Sequence, residues 1–202
     1  MTWINTIEYD QASGRLRTLY DRVKGPDGVV DNIMMSHSLR PHTMEGHLAL
    51  YKSVLHHSAN RVPKWFLEAI GVWVSRLNCC DYCVDHHFEG MKRLVGDPAR
   101  SAALRAALDS GEIESGPFAA KEAAALRYAE TLTRDPSAVS EAMVERLRAL
   151  GYDDGEILEI NQVTAYFAYA NRTVLGLGCN TEGDTLGLAP GNTDDPDDWS
   201  HR

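Results

Sequence analysis

Apolar positions along this chain recur at intervals of three and four residues, while the alternating pattern of strands is weak. Val139, Met143, Val144, Leu147 and Leu150 show the helical spacing, and Gly151 stands in the stop position. Residues 97–111 read as a complete short helix. Gly96 closes the helix before it, Asp97 caps, Pro98 takes the first turn and Gly111 ends it. The run 121–135 is rich in strong helix formers and stops at Asp135-Pro136. Asp153, three residues before Glu156, sets a capping box at the head of a long run with few charges until Arg172. Such a helix belongs in the core or at a subunit interface. Ala12–Val23 and Thr43–His56 are expected helices, separated by the turn-rich KGPDG and a break near Arg40-Pro41. Pro63 opens another over WFLEAIGVWVSRL, and Asn78 is the expected N-cap of one running to about Val95. Leu67-Glu68 with Val72 and Leu158-Glu159 with Val163 form a faint internal echo, consistent with a duplicated bundle. The pattern predicts one all-α domain over residues 1–181, followed by a tail.

Length changes little in this picture: 202 residues suffice for one full core. Charge adds more. The net charge of −9 argues against nucleic acid as a partner, because phosphate binding needs a basic surface. Glu182, Asp184, Asp194, Asp195, Asp197 and Asp198, offset by Arg202, leave the last 21 residues at −5. Residues 182–202 are therefore expected to form an acidic, loosely ordered tail. No apolar run approaches the roughly 18 residues of a membrane span. MTWINTIEYD has neither the basic start nor the apolar core of a secretory signal, so a cytoplasmic protein is expected.

Candidate chemistry concentrates in LNCCDYCVDHHFEG, Leu77 to Gly90. Three of the four cysteines fall there, in a compartment where a structural disulfide is not expected. At ~100° per residue, Cys80, Cys83 and His87 share one face over the first two turns of a helix. The positive end of that helix favours a thiolate, and His87, one turn beyond Cys83, can take up a thiol proton. Two thiols at i and i+3 can also close a disulfide and act as a two-electron couple. The same residues admit a zinc site, with Cys79 or His86 as fourth ligand, although no second CxxC or HxxxH is present and Cys179 stands alone in sequence. Cysteines simply buried as apolar residues are the third reading.

Glu68, then Cys80-Asp81-Tyr82-Cys83, then His87 resembles the E-x11-C-x2-C-x3-H pattern of the alkylhydroperoxidase D (AhpD)-like proteins, within the carboxymuconolactone decarboxylase superfamily. LRYAETLTRDPSAVSE, LRALGYDDGEILEI and AYFAYANRTVLGLG are similar to the C-terminal half of its uncharacterised peroxidase-related branch. WINTIEYDQASGRLRTLYDRV and SLRP extend the resemblance, so that it spans most of residues 3–180. It implies an AhpD-like helical bundle and a homo-oligomer, whether dimer, trimer or hexamer. It further implies a peroxidatic thiolate at Cys83, a resolving thiol at Cys80, a proton acceptor at His87, and Glu68 orienting His87. Glu68 is also the lone acid in an apolar run, where a carboxylate needs a partner. Tyr82 is a departure, because the best-known members have histidine before the second cysteine. A tyrosine, with pKa ~10, mostly donates a hydrogen bond, so any relay through it is simpler.

The expected function is thiol-dependent hydroperoxide reduction or disulfide exchange. No cofactor or metal is required, and an external dithiol or lipoyl-bearing protein serves as reductant. The alternatives are a non-enzymatic redox-sensing or zinc-binding protein, and a decarboxylase of the superfamily's naming type, which would not need a CxxC. His37, His42, His47, His56 and His57 lack matched metal spacing and read as surface or hydrogen-bonded core residues, while His86 lies off the face of Cys83 and His87. Asn171-Arg172 reads as a buried structural pair, with the guanidinium on a carboxylate or carbonyl.

Overall fold

In the computed structural model, which describes residues 2–195 and 197–199, helices and short helical turns account for all regular structure among the described residues. The order is α1 (Gly14–Val23), α2 (Asn32–Met35), α3 (Pro41–Tyr51), α4 (Lys64–Leu77), α5 (Asp81–Val95), α6 (Pro98–Ser110), α7 (Ala120–Arg134), α8 (Glu141–Ala149) and α9 (Asp154–Leu177). A single π-helical turn, Lys52–His56, continues α3.

Local signals placed most boundaries. Asp97 accepts from the backbone N–H of Ala99 and Arg100 at 2.9 and 3.1 Å, and Gly111 closes α6 with φ +77°. The Asp153–Glu156 capping box is formed in both directions, at 2.8 and 2.9 Å. The four-residue α2 had no periodic signal of its own.

The start of α5 differs from expectation. Asn78 ends α4 instead of capping α5, and Cys80 occupies the N-cap position. Between them Cys79 takes a left-handed conformation at φ +57°, the only non-glycine to do so among the described residues. The backbone N–H of Cys80 reaches the Ser75 carbonyl at 2.8 Å and that of Cys79 reaches Arg76 at 3.1 Å. This is a Schellman closure with cysteine in the usual glycine place. It turns α4 straight into α5, with no linker.

Helix α4 is the centre of the molecule. Every residue from Phe66 to Ser75 is buried, as an all-round apolar helix must be, and α5, α7 and α9 pack around it. Gly71 lies against α9, where an added Cβ would be 2.3 Å from the Phe167 ring. Gly71→Ala is therefore expected to destabilise the fold by about 1–3 kcal/mol through overpacking. Urea unfolding should show a lower midpoint at an unchanged slope.

The C-terminal segment corrects the sequence expectation. Residues 182–195 and 197–199 are not a loose tail but lie back across the helices. The Asp184 side chain is buried, Trp199 is 6% exposed and packs against Tyr51, and the buried Lys52 donates to the Asp198 carbonyl and to Thr193 Oγ1. Arg22 pairs with Asp197 at 2.6 Å. The acidic composition hid these anchors, because composition reports average solvation and not the partner each carboxylate finds. The rest of the expected tail, residues 196 and 200–202, lies outside the described residues. Arg172 also differs: it is exposed and donates to the Ala168 carbonyl of its own helix at 2.6 Å, while Asn171 is the buried member. No helix among the described residues is long and apolar enough to cross a membrane.

Candidate active site

The antiparallel packing of α4 on α5 brings the sequence-selected residues together. Glu68 is 2% exposed, and its Oε2 lies 2.7 Å from His87 Nδ1. Burial by itself would raise the Glu68 pKa. The charge and hydrogen bond of His87, with His56 beyond them, outweigh that and hold it below its ordinary value. His56 Nε2 stands 3.7 Å from the other carboxylate oxygen and 3.0 Å from the Tyr51 hydroxyl. The carboxylate thus lies between two imidazoles, and the hydrogen bond at Nδ1 leaves Nε2 of His87 available for chemistry.

Cys80 and Cys83 are both buried free cysteines with sulfurs 2.9 Å apart. A hydrogen bond joins the two sulfurs, and it holds the Cys80 pKa below its ordinary value. For the same reason, and then through burial, Cys83 is pushed well above its own. Of the two, Cys80 at the helix N-terminus is thus the more readily ionised. Asn171, held by Ser75 Oγ at 3.0 Å and by Asn78 at 2.9 Å, supports both sulfurs from α9.

A small cavity of about 60 Å³ is lined by Cys83, His87 and Glu68, by His86 and His47, and by aromatic walls from Tyr51, Tyr166 and Trp199. Cys80 does not line it. His86, which the helical wheel placed off the face, does, because the fold wraps the cavity around more of α5 than one stripe. His47 and His56 are buried, hydrogen-bonded core residues as expected, but they also stand at the site.

Asp184 is the residue that sequence reading missed most clearly. Its Oδ2 accepts from the Tyr82 hydroxyl at 2.7 Å and stands 3.2 Å from His86 Nε2, and its Oδ1 accepts from the Asn32 N–H at 3.0 Å. Nothing in an acidic segment distinguishes one such aspartate from its neighbours. Tyr82 is thus a donor, kept neutral by burial and by the adjacent carboxylate, and it anchors the C-terminal segment over the cavity. Tyr82→Phe should cost about 1.5–3 kcal/mol of that anchoring, the range for a hydrogen bond to a charged group. Limited proteolysis should then cut between Asp184 and Trp199 faster than in the unsubstituted protein.

Among the described residues no group of three or more His, Cys, Asp or Glu is arranged to hold a metal ion. Two thiolates on one zinc ion would stand ~3.7 Å apart, given Zn–S distances of ~2.3 Å, so the present sulfur separation does not fit that reading.

The backbone has close counterparts among solved structures. A peroxidase-related protein from Ralstonia eutropha, described as an alkylhydroperoxidase AhpD core, superposes with a TM-score of 0.78 at 22% identity, covering 89% of this chain and 91% of its own. The fold is AhpD-like. A second peroxidase-related protein of this fold, from Silicibacter, gives 0.75 at 24% identity over 90% and 93% of the two chains. The AhpD-like fold also carries the debrominase Bmp8, solved with 2,3,4-tribromopyrrole, at 0.67 and 18% identity over 90% and 91%. No protein-family model matches the sequence, and no curated protein matches it significantly.

Proposed function

We propose that the protein is a thiol-dependent hydroperoxidase, with Cys83 as the sulfur that meets peroxide and Cys80 as its partner. The observation that carries this reading is the placement of Cys83 in the wall of one small cavity with the His87–Glu68 pair, while Cys80 lies directly behind it. AhpD-like, peroxidase-related structural neighbours support it.

The geometry supplies each proton. As Cys83 attacks the O–O bond, its own proton passes to the Cys80 thiolate 2.9 Å away. The O–O bond breaks and the departing alkoxide takes a proton from Nε2 of His87, whose charge Glu68 balances. Cys83 is then a sulfenic acid. Cys80 attacks it, the S–S bond forms and water leaves. An external dithiol, lipoyl-bearing or otherwise, returns the pair to the reduced state. Sulfur carries the electrons, so no bound cofactor is invoked. A reducing cytoplasm and assembly into a homo-oligomer belong to the same proposal.

The aromatic walls favour a second reading, a thiol acting on a flat ring, as the debrominase neighbour invites. The small cavity, with room for a few water-sized groups, fits a peroxide better.

The test is peptide mapping by mass after one equivalent of an organic hydroperoxide is added to the reduced, metal-free protein. The expected product is a rapid two-proton loss mapped to a Cys80–Cys83 bond. Thiols left intact would overturn the peroxidase reading. Oxidation without recycling by any dithiol would leave a redox sensor.

A further inference from the structure

Cys179, isolated in sequence, is brought by the fold to the active pair. It follows the left-handed cap of α9 at Gly178, and its backbone N–H bonds the Val174 carbonyl at 3.0 Å. The residue is 9% exposed and belongs to one buried cluster with Cys80, Cys83, Tyr82 and Val174. A second cavity of about 260 Å³ lies on this side, lined by Cys79, Cys80 and Cys179 but not by Cys83. The cavity holding Cys83 and His87 has neither Cys80 nor Cys179 in its wall, and shares only Tyr82 with the second. The Cys80–Cys83 pair therefore bridges two separate spaces.

The two spaces differ in what can enter. The inner one is small and roofed by Gly187, Leu188, Ala189, Pro190 and Trp199, so a peroxide fits where a protein-borne dithiol does not. The outer one is four times larger and reaches Cys79, which is exposed. A disulfide between Cys80 and Cys83 has only its Cys80 end toward that groove.

We propose that Cys179 is a third redox-active thiol, which takes the disulfide over from Cys83 and presents it as Cys80–Cys179 to a dithiol reductant in the outer groove. The inference rests on the thiol-redox reading above. Cys179 loses its proton to water in the groove and attacks the Cys80 sulfur. The Cys80–Cys83 bond breaks, and its electron pair goes to Cys83, which takes up a proton from the inner cavity. One disulfide is exchanged for another, with no net oxidation. A dithiol in the groove then reduces Cys80–Cys179 to two thiols and itself becomes a disulfide. Cys83 is meanwhile already reduced, and the cycle restarts once the dithiol has released Cys80. Burial keeps the Cys179 thiol above its ordinary pKa, so the exchange quickens as pH rises.

Two measurements separate this inference from the peroxidase reading. In the first, Cys83→Ser is treated with diamide, its remaining thiols are blocked with N-ethylmaleimide, and peptides are mapped. A Cys80–Cys179 link is expected; blocked thiols at both positions would overturn the relay whatever the protein does with peroxide. In the second, the unsubstituted protein receives one equivalent of hydroperoxide and is quenched with the same reagent over time. Cys80–Cys83 should appear first and Cys80–Cys179 later, with Cys83 alkylated. Cys80–Cys83 alone at all times, or a Cys83–Cys179 link, would overturn it. A link in the diamide arm with no reaction toward peroxide would support the third thiol and sink the peroxidase reading. Should the Cys83→Ser protein fail to fold, Cys83→Ala serves in the same diamide mapping.

Discussion

Replacing Cys83 with serine is expected to bring hydroperoxide consumption down to the uncatalysed background, a loss of at least ~10³-fold, as when other nucleophiles are removed. The reason is spatial before it is electronic. Cys83 is the sulfur in the wall of the inner cavity, whereas Cys80, although the more readily ionised member of the pair, lies behind it. A serine hydroxyl there is a far weaker nucleophile toward O–O and forms no sulfenic acid. Cys80→Ser has a different expected signature: one equivalent of peroxide is still consumed, slowly, because the base that takes the Cys83 proton is gone. Cys83 then accumulates as sulfenic acid, with no Cys80–Cys83 link. Peroxide consumption assayed with excess dithiol, together with dimedone trapping, distinguishes the two variants. Full turnover by the Cys83→Ser protein would show that the thiol mechanism is wrong.

Acidification is expected to destabilise the protein well above the pH at which surface carboxylates titrate. Burial pushes His47 down to about 3 and His56 down to about 4, so both are neutral in the folded state at neutral pH. Around His47 the other charged groups are His37 and His87; around His56 they are Glu68, His87 and Lys64. In the unfolded chain both imidazoles take up a proton near pH ~6.5. Between that pH and their folded values the unfolded state binds more protons, so stability falls as pH falls. Asp31 acts in the opposite sense. Its pKa is raised to about 6, first by burial, and the folded state therefore holds its proton where the unfolded state has lost it. Two large histidine shifts exceed this single carboxyl, and Glu68, held low, adds to the loss below the ordinary carboxylate range. At about 1.4 kcal/mol per pKa unit the net effect reaches several kcal/mol. Melting temperature should fall on the order of 10 °C or more between pH 7 and 4.5. His56→Gln should flatten the curve in that window. A flat curve for the unsubstituted protein would mean that these imidazoles are not held neutral by the fold.

Both expectations rest on features of unequal visibility in the sequence. Helices α6 through α9 were legible because their signals are local. Asp97, Pro98 and Gly111, or Asp153 with Glu156, act over three or four residues and need no distant partner. The same holds for Cys83 and His87, whose common face follows from helical period, and for Glu68, conspicuous as an acid in an apolar run, whereas Cys80, expected on that face, caps the helix and lies behind Cys83. The resemblance also implied one pattern for these four residues on an AhpD-like backbone, and the fold is AhpD-like.

Only the tertiary structure decided the rest. The N-cap moved from Asn78 to Cys80 because the end of α4 closes on Ser75, a choice made by two helices together. Asp184 and Trp199 read as tail because their partners, Tyr82 and Tyr51, are 102 and about 150 residues away along the chain. Cys179 read as alone for the same reason, yet it shares a cluster with Cys80. Which sulfur faces peroxide depends on which wall encloses which space, a property of packing between α4, α5, α9 and the returning C-terminal segment. Periodicity and capping are short-range consequences of backbone geometry, so one strand of text contains them. Burial, coupled protonation and the separation of two cavities arise between segments distant in sequence, and they exist only once the chain has folded.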